Sequence, residues 1–314
     1  MKKSTTIPQY DANHYAVVDL GSNSFHLLII QLQENKLIPI NKVKRKVRLA
    51  AGLNQQLELS PEAMKDGLDC LTLFAKHLAS IPLTNIRIVA TATLRLAKNR
   101  DEFLNLANSI LPLNIDLLTG TKEAETIYKG VSYTSKSCIQ QRQLVIDIGG
   151  ASLEMIVGDN NTMIKAISLN IGCVSLREKC FTNGTLSETN FIRAIEEASK
   201  VIQPVSTDFK KLGWQSTIGK SGTIQALAEI LAFRQQEIII TKTFLEEIKQ
   251  ALIQSKYIEN ITFEGLRHDR TPVLASGLSI LIALFDCLKI KELTLSSGAL
   301  REGLLFEMLP NATY

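Results

Sequence analysis

Asp19-Leu-Gly-Ser-Asn-Ser24 and Asp147-Ile-Gly-Gly-Ala-Ser152 are two copies of one local pattern. Each closes an apolar run that reads as a buried strand, Tyr15 to Leu20 in the first case and Leu144 to Ile148 in the second. Each puts an acid at the strand end, then a Gly/Ser turn, then a second apolar strand, Phe25 to Leu32 or Leu153 to Val157. A single turn of this kind is what an ordinary hairpin shows. Two of them, one per half of the chain, indicate a duplicated lobe with a cleft between the copies.

The surrounding segments fit that duplication. Leu37 to Ile40 extends the first hairpin. Ser60-Pro61-Glu62 starts a helix running to about His77, because Ser60 can cap free amides and Pro61 suits the first helical position. Ile86 to Thr91 and Ile115 to Leu118 read as strands, with a short helix capped by Asp101 between them, and Glu123 to Val131 as a helix. The polar stretch 132–142, with Ser135, Lys136 and Ser137, reads as the crossing into the second lobe. Beyond the second turn come a strand at Thr162 to Leu169, helices near 174–181, 187–202, 223–233, 241–255 and 272–287, a strand at Glu292 to Leu295 and a helix from Gly298 to Met308. Strands alternating with helices place the chain in the α/β class. The expected lobes are 10–135, joined by a C-terminal helix 298–311, and 136–297.

A length of 314 residues suits two lobes of ordinary size, and 45% hydrophobic with 21% charged residues is normal for a globular protein. The net charge of +4 is concentrated in Lys42, Lys44, Arg45, Lys46 and Arg48. That cluster either attracts a polyanion or is a solvated strand and hairpin. No aromatic residues interleave it, so nucleic acid is not an expected partner. The five cysteines (Cys70, Cys138, Cys173, Cys180, Cys287) form no C-x-x-C pair, and four histidines make a zinc site improbable. Free thiols in a reducing compartment fit best. No apolar signal core follows Met1-Lys2-Lys3, and the most apolar later stretch, Leu278 to Leu288, is shorter than a span and interrupted by Asp286. A cytoplasmic location without a membrane partner is therefore expected.

Glycine lets a backbone approach a ligand closely, and concave arrays of backbone amides bind phosphate oxygens. Gly21, Ser22, Asn23 and Ser24, and Gly149, Gly150, Ala151 and Ser152, are thus candidate phosphate loops. Asp19 and Asp147 can hold Mg²⁺, which takes few carboxylates and keeps several waters. Glu154 lies on the same strand face as Ser152 and is a third candidate acid. Glu123, just after Thr119-Gly120, is a candidate base for activating water, or an acid favoured by a helix N-terminus. Ser221 and Gly222 belong to a third phosphate element between a strand and a helix, Gly219-Lys220-Ser221-Gly222-Thr223, which lacks Walker spacing. Ser296-Ser297-Gly298 is a fourth. Arg95 and Arg301 suit bidentate phosphate contacts or surface ion pairs. His26, within an apolar strand, reads as structural.

These segments, with Val47-Arg-Leu-Ala50, Ala92-Thr-Leu-Arg95, Gly172-Cys-Val-Ser175 and Ser297-Gly-Ala-Leu-Arg-Glu-Gly303, run nearly end to end. Together they resemble the exopolyphosphatase / guanosine pentaphosphate phosphohydrolase family of the actin–sugar kinase–Hsp70 superfamily. The resemblance implies two actin-like (ribonuclease H-like) lobes and Mg²⁺-dependent release of terminal phosphate. The family's water-activating glutamate falls on Glu123, its metal-associated acids on Asp147 and Glu154, and its phosphate loops on Gly21–Ser24 and Gly149–Ser152. The implied partner is a polyanion, polyphosphate or guanosine pentaphosphate, and a homodimer is an assembly the reading allows. Longer relatives continue into helical domains that help hold long polyphosphate, so a preference for short chains or nucleotides is expected here.

The chain departs from the family pattern at several places. Lys122 replaces a glutamate, Glu125 an arginine, Ala151 a glycine, Leu153 a threonine and Ser297 an aspartate. A non-enzymatic polyphosphate or alarmone sensor is the alternative these changes motivate, and an ATP-dependent small-molecule kinase a further one. The presumed base and metal acids remain, so an active phosphoanhydride hydrolase is the favoured reading.

Overall fold

The computed structural model describes residues 9–134 and 141–313; Ser135, Lys136, Ser137 and Cys138 lie outside them. The chain divides into two compact units, one reaching to Thr119 and resuming at Arg301, the other spanning Gly120–Leu300.

The first unit contains β1 (His14–Leu20), β2 (Phe25–Gln33), β3 (Lys36–Arg45), α1 (Pro61–Leu78), β4 (Ile86–Ala90), α2 (Ala92–Leu96), α3 (Arg100–Ile110) and β5 (Asp116–Leu117). Its sheet has the order β3-β2-β1-β4-β5. The β1–β2 and β2–β3 pairs are antiparallel, while β1–β4 and β4–β5 are parallel. One face packs Val18, Leu20, Phe25 and Leu27 against Leu71 and Phe74 of α1 and Phe103 of α3. As the sequence suggests, the Ser60 hydroxyl accepts from the Ala63 amide at 3.2 Å, and Pro61 opens α1. At α3 the expected cap differs. Asn99 occupies the N-cap position, and Asp101 lies inside the first turn. The Asn99 amide does not cap because it accepts from Leu59 N (2.8 Å) and donates to Leu59 O (3.0 Å), fastening α3 to the loop before α1.

The second unit contains α4 (Gly120–Thr134), β6 (Arg142–Ile148), β7 (Leu153–Asp159), β8 (Thr162–Leu169), α5 (Cys173–Cys180), α6 (Glu188–Leu212), β9 (Ser216–Ser221), α7 (Gly222–Phe233), β10 (Ile239–Thr241), α8 (Lys242–Ser255), α9 (Leu274–Leu288) and β11 (Glu292–Leu295). The final helix α10 (Leu300–Met308) carries the chain back to the first unit. There Thr313 pairs with the start of β3. The second sheet has the order β10-β11-β9-β6-β7-β8. Its β8-β7-β6-β9-β11 part repeats β3-β2-β1-β4-β5 with the same strand senses. The duplication is therefore one of whole topology, two α/β units of actin-like, ribonuclease H-like type, with β10 added at one edge.

The division at 119/120 differs from the expected boundary at 135/136. Helix α4 packs on β7 and β8 and so belongs to the second unit. The Tyr128 hydroxyl donates to Asn160 O at 2.6 Å, and its ring lies so close to Gly158 that a Cβ there would sit 2.1 Å from Cζ. Gly298 likewise admits the Gly130 carbonyl, 2.1 Å from where a Cβ would be. Helix α6 also outruns its expected end at 202. It continues past Pro204 because Ile202, Ser206 and Phe209 extend its buried face, and α6 packs against α9.

Helix α9 is the core of the second unit, with every residue but Asp286 buried. The helical run His268–Leu288 is 21 residues long with a hydropathy of 1.8, longer than the sequence reading allowed. By length and composition it could cross a membrane, but 83% of its most apolar window is buried inside the unit, as in a core helix. Among the described residues Cys70, Cys173, Cys180 and Cys287 are buried and form no disulfide, and burial pushes the Cys70 thiol up to about 12. Where α9 meets α7, a Cβ on Gly277 would lie 1.9 Å from Thr223 Oγ1. Gly277→Ala is therefore expected to lower unfolding free energy by about 1–3 kcal/mol, read as a reduced urea midpoint.

Candidate active site

Both acid-plus-glycine turns are built alike. Leu20 pairs with Phe25 and Ile148 with Leu153, so the turns are residues 21–24 and 149–152. Both are pinched: the Gly149 amide donates to Ser152 O at 2.9 Å, and a Cβ on Gly21 would lie 3.0 Å from Ser24 O. Both are also tied by their carbonyls. Ser22 O and Asn23 O accept from the amides of Ala50 (2.9 Å) and Arg48 (3.0 Å). Gly149 O accepts from Cys173 N (2.9 Å), and Gly150 O from Val174 N (2.9 Å) and Ser175 N (3.1 Å). In a planar trans peptide the C=O and the following N–H point in opposite directions. The amides of Asn23, Ser24, Gly150 and Ala151 therefore point away from these anchors, which is how a backbone presents donors to an anion.

The start of α5 can reach the second turn only because residue 172 is glycine. A Cβ there would stand 2.3 Å from Gly150 C and 2.4 Å from Ala151 N. Behind it, the buried Ser276 hydroxyl of α9 donates to Cys173 O at 2.6 Å. The turn is thus fastened through α5 to the central helix.

Beside each turn, register partners form a row across the sheet. In the second unit Asp147 pairs with Glu154 and with Lys220, and Glu154 pairs with Ser168. In the first unit Asp19 pairs with His26 and Val89, and His26 with Lys44. Side chains of register partners share one face of a sheet. Glu154 is only 1% exposed, and its Oε1 accepts from Ser168 Oγ at 2.7 Å. Lys220 Nζ donates to Ser297 O at 2.6 Å. In the first row His26 Nδ1 lies 3.5 Å from Asp19 Oδ2. Burial holds the His26 imidazole below its ordinary pKa; the hydrogen bond to Asp19 opposes that shift, and the charges of Arg301 and Lys44 add to it.

The remaining sequence candidates fall as follows. Glu123 sits in the first turn of α4 and is 6% exposed. Arg95 lies in the last turn of α2, donating through Nη1 to Leu118 O at 3.1 Å. Ser221 is the N-cap of α7, where its Oγ accepts from Ile224 N at 3.0 Å. Gly222 O accepts from Arg270 Nη1 at 2.9 Å. The second unit thus brings together Asp147, Glu154 and the 149–152 turn, with Ser221 beside Ile148 in the sheet. The first unit groups Asp19 with the 21–24 turn, and Arg301 acts on the neighbouring His26. Sequence reasoning misses Ser168 as a site residue, since only strand pairing brings it there; it reads Lys220 only as part of the third phosphate element, and Gly172 only within the segment Gly172-Cys-Val-Ser175.

Asp147 and Glu154 are a cross-strand carboxylate pair of the kind Mg²⁺ uses, one or two carboxylates supplemented by water and phosphate oxygens. No group of three or more His, Cys, Asp or Glu side chains gathers among the described residues; Asp19, in the first unit, has His26 as its register partner. The donor set suits a hard, water-rich cation and not a zinc cage.

Residues 28–312 match the Ppx/GppA phosphatase family. The chain belongs to this family. It is 47% identical over 295 residues to the guanosine-5'-triphosphate,3'-diphosphate pyrophosphatase of Vibrio cholerae serotype O1, covering 94% of this chain and 59% of that one. It is 46% identical over 307 residues to the protein of the same name from Aliivibrio fischeri, covering 98% and 61%. The chain therefore spans about three-fifths of the length of these relatives. Among solved structures, an exopolyphosphatase from Cytophaga hutchinsonii superposes with a TM-score of 0.84 at 22% identity, covering 96% of this chain and 99% of that one. The Aquifex aeolicus PPX-GPPA enzyme superposes with a TM-score of 0.73 at 24% identity, covering 94% and 99%. These two likenesses establish the Ppx/GppA fold of the chain.

Because a methyl on residue 172 must displace the 149–152 backbone, Gly172→Ala is expected to lower unfolding free energy by about 1–3 kcal/mol, read as a reduced urea midpoint.

Proposed function

We propose that this chain hydrolyses the terminal phosphoanhydride bond of guanosine pentaphosphate, and of inorganic polyphosphate by the same chemistry. The observation that carries the reading is the second-unit turn. Its amides are aimed by carbonyl anchors, and it sits directly beside the Asp147–Glu154 pair. The names of the curated relatives at 46–47% identity support the nucleotide as the main substrate.

The terminal phosphate lies on the amides of Gly150 and Ala151, with the Ser152 hydroxyl beside them. Fixed donors of this kind stabilise charge developing on a transferring phosphoryl group without reorganising. Asp147 and Glu154 would hold Mg²⁺, and Ser168 fixes the Glu154 carboxylate. When bound, the ion neutralises phosphate charge. Glu123 accepts the proton of the attacking water. The water oxygen forms the new P–O bond, the bridging P–O bond breaks, and the leaving phosphate chain keeps the bridging oxygen. In the first unit, Gly21–Ser24, Arg95 and Arg301 are phosphate-binding elements.

Two features argue for an active enzyme over a sensor. Lys122 and Glu125, both departures from the family pattern, face each other as an i,i+3 ion pair at 3.9 Å on α4. They reverse the sign of the usual Glu and Arg, so the two changes compensate. The methyl of Ala151 is buried (3% exposed), turned away from solvent.

Glu123→Gln is expected to lower phosphate release about 10²- to 10⁴-fold. Calorimetry should show guanosine pentaphosphate still bound. Wild-type protein should release phosphate from guanosine pentaphosphate with Mg²⁺ and lose that activity with EDTA. Binding without release under any divalent metal would identify a sensor instead.

A further inference from the structure

Lys220 occupies the position at which the two sheet rows differ most. Beside Asp19, the neighbouring parallel strand supplies Val89, which is 1% exposed. Beside Asp147, the matching strand supplies Lys220, which is half-buried. Interior positions of parallel strands are ordinarily apolar, and Val89 shows that this topology needs no charge there. Adjacent strands lie about 4.8 Å apart. The row Glu154–Asp147–Lys220 is therefore a short line of two carboxylates and one ammonium, at the end of the sheet where β6 and β9 finish. Carboxyl ends of parallel strands are where α/β sheets take ligands. The ammonium is also held in place. Its Nζ reaches the Ser297 carbonyl in the turn after β11, and the next residue, Ser221, caps α7. A lysine fixed at a strand end, next to Asp147 and two strands from Glu154, is placed to act as a point charge for phosphate.

We propose that Lys220 is a phosphate-binding residue. Its ammonium takes an oxygen of the phosphate adjoining the one that is released, favouring substrates with consecutive phosphates. This rests on the hydrolase reading above. The acids of the row repel phosphate and serve the cation, so the lysine at its end supplies the positive charge the second phosphate needs. The residue acts on substrate charge, and its removal shows mainly in KM.

The test compares wild type, Lys220→Met and Lys220→Arg with guanosine pentaphosphate and inorganic tripolyphosphate at saturating Mg²⁺. Melting temperature and Mn²⁺ affinity by electron paramagnetic resonance are measured on the same samples. The expected result is a KM at least about 10-fold higher in Lys220→Met for both substrates, as for loss of a charge-assisted hydrogen bond. Its kcat should fall no more than about threefold, and Lys220→Arg should recover most of the wild-type KM. A KM unchanged in Lys220→Met overturns the proposal, whether or not melting temperature or Mn²⁺ affinity moves. So does an arginine variant as weak as the methionine one. If wild type releases no phosphate, the hydrolase reading fails separately. Calorimetric binding of tripolyphosphate to the same three proteins then decides the lysine's role, with equal affinities overturning it.

Discussion

The candidate site depends on which end of a peptide is tied down. A turn whose carbonyls are left free can rotate them toward a ligand and repel an anion. Here Ser22, Asn23, Gly149 and Gly150 each have the carbonyl bonded by an amide from the segment following the third strand of the same unit. Planarity of the peptide does the rest, committing the opposite edge to donors. The same solution appears in both units with different tying segments, a left-handed Arg48 with the short helix Leu49–Gly52 in one and the start of α5 in the other. What the duplication repeats is this hydrogen-bonding arrangement more than the residues that make it.

Much of this was legible in the sequence. Strand periodicity and the repeated acid-plus-glycine pattern located both hairpins, and Ser60-Pro61 marked α1 to within a residue. The register that sets Asp147 against Glu154 follows from a four-residue turn. Other parts were not legible, for physical reasons that differ. Asp101 reads as the cap of α3, but Asn99 takes that position, with its side-chain amide used by Leu59, 40 residues earlier in the chain. Pro204 looks like a helix end, yet burial of Ser206 and Phe209 carries α6 through it. The helix beginning at Glu123 reads as part of the first lobe, and the packing of Tyr128 on the β7–β8 hairpin assigns α4 to the second. Ser168 is an ordinary residue in one dimension, Lys220 only a member of a phosphate element, and both join the acids when β8 and β9 are laid beside β7 and β6.

The central helix couples the core to the site. Through Ser276 and Cys173, α9 supports the start of α5, which supports the 149–152 turn. Gly172 and Gly277 are points of close approach along that path, one at the turn and one in the core. Closely packed interiors transmit strain, so changes in α9 reach the phosphate turn through a few stiff contacts. Departures at exposed positions carry no such linkage, and the reversed Lys122–Glu125 pair is one that α4 accommodates on its surface.

The outer margin of β3 has a different significance. An unpaired strand margin invites other chains to add to the sheet, a route to fibrous aggregates. Here Leu37 N and Asn35 O are already engaged by Thr313, Pro39 withholds a donor, and the β2–β3 register shifts at Ile29/Ile30. Exposed Lys36, Lys42 and Lys44 along the same strand add repulsion between like copies. The Thr313 backbone thus occupies the start of this margin, where an added strand would otherwise dock.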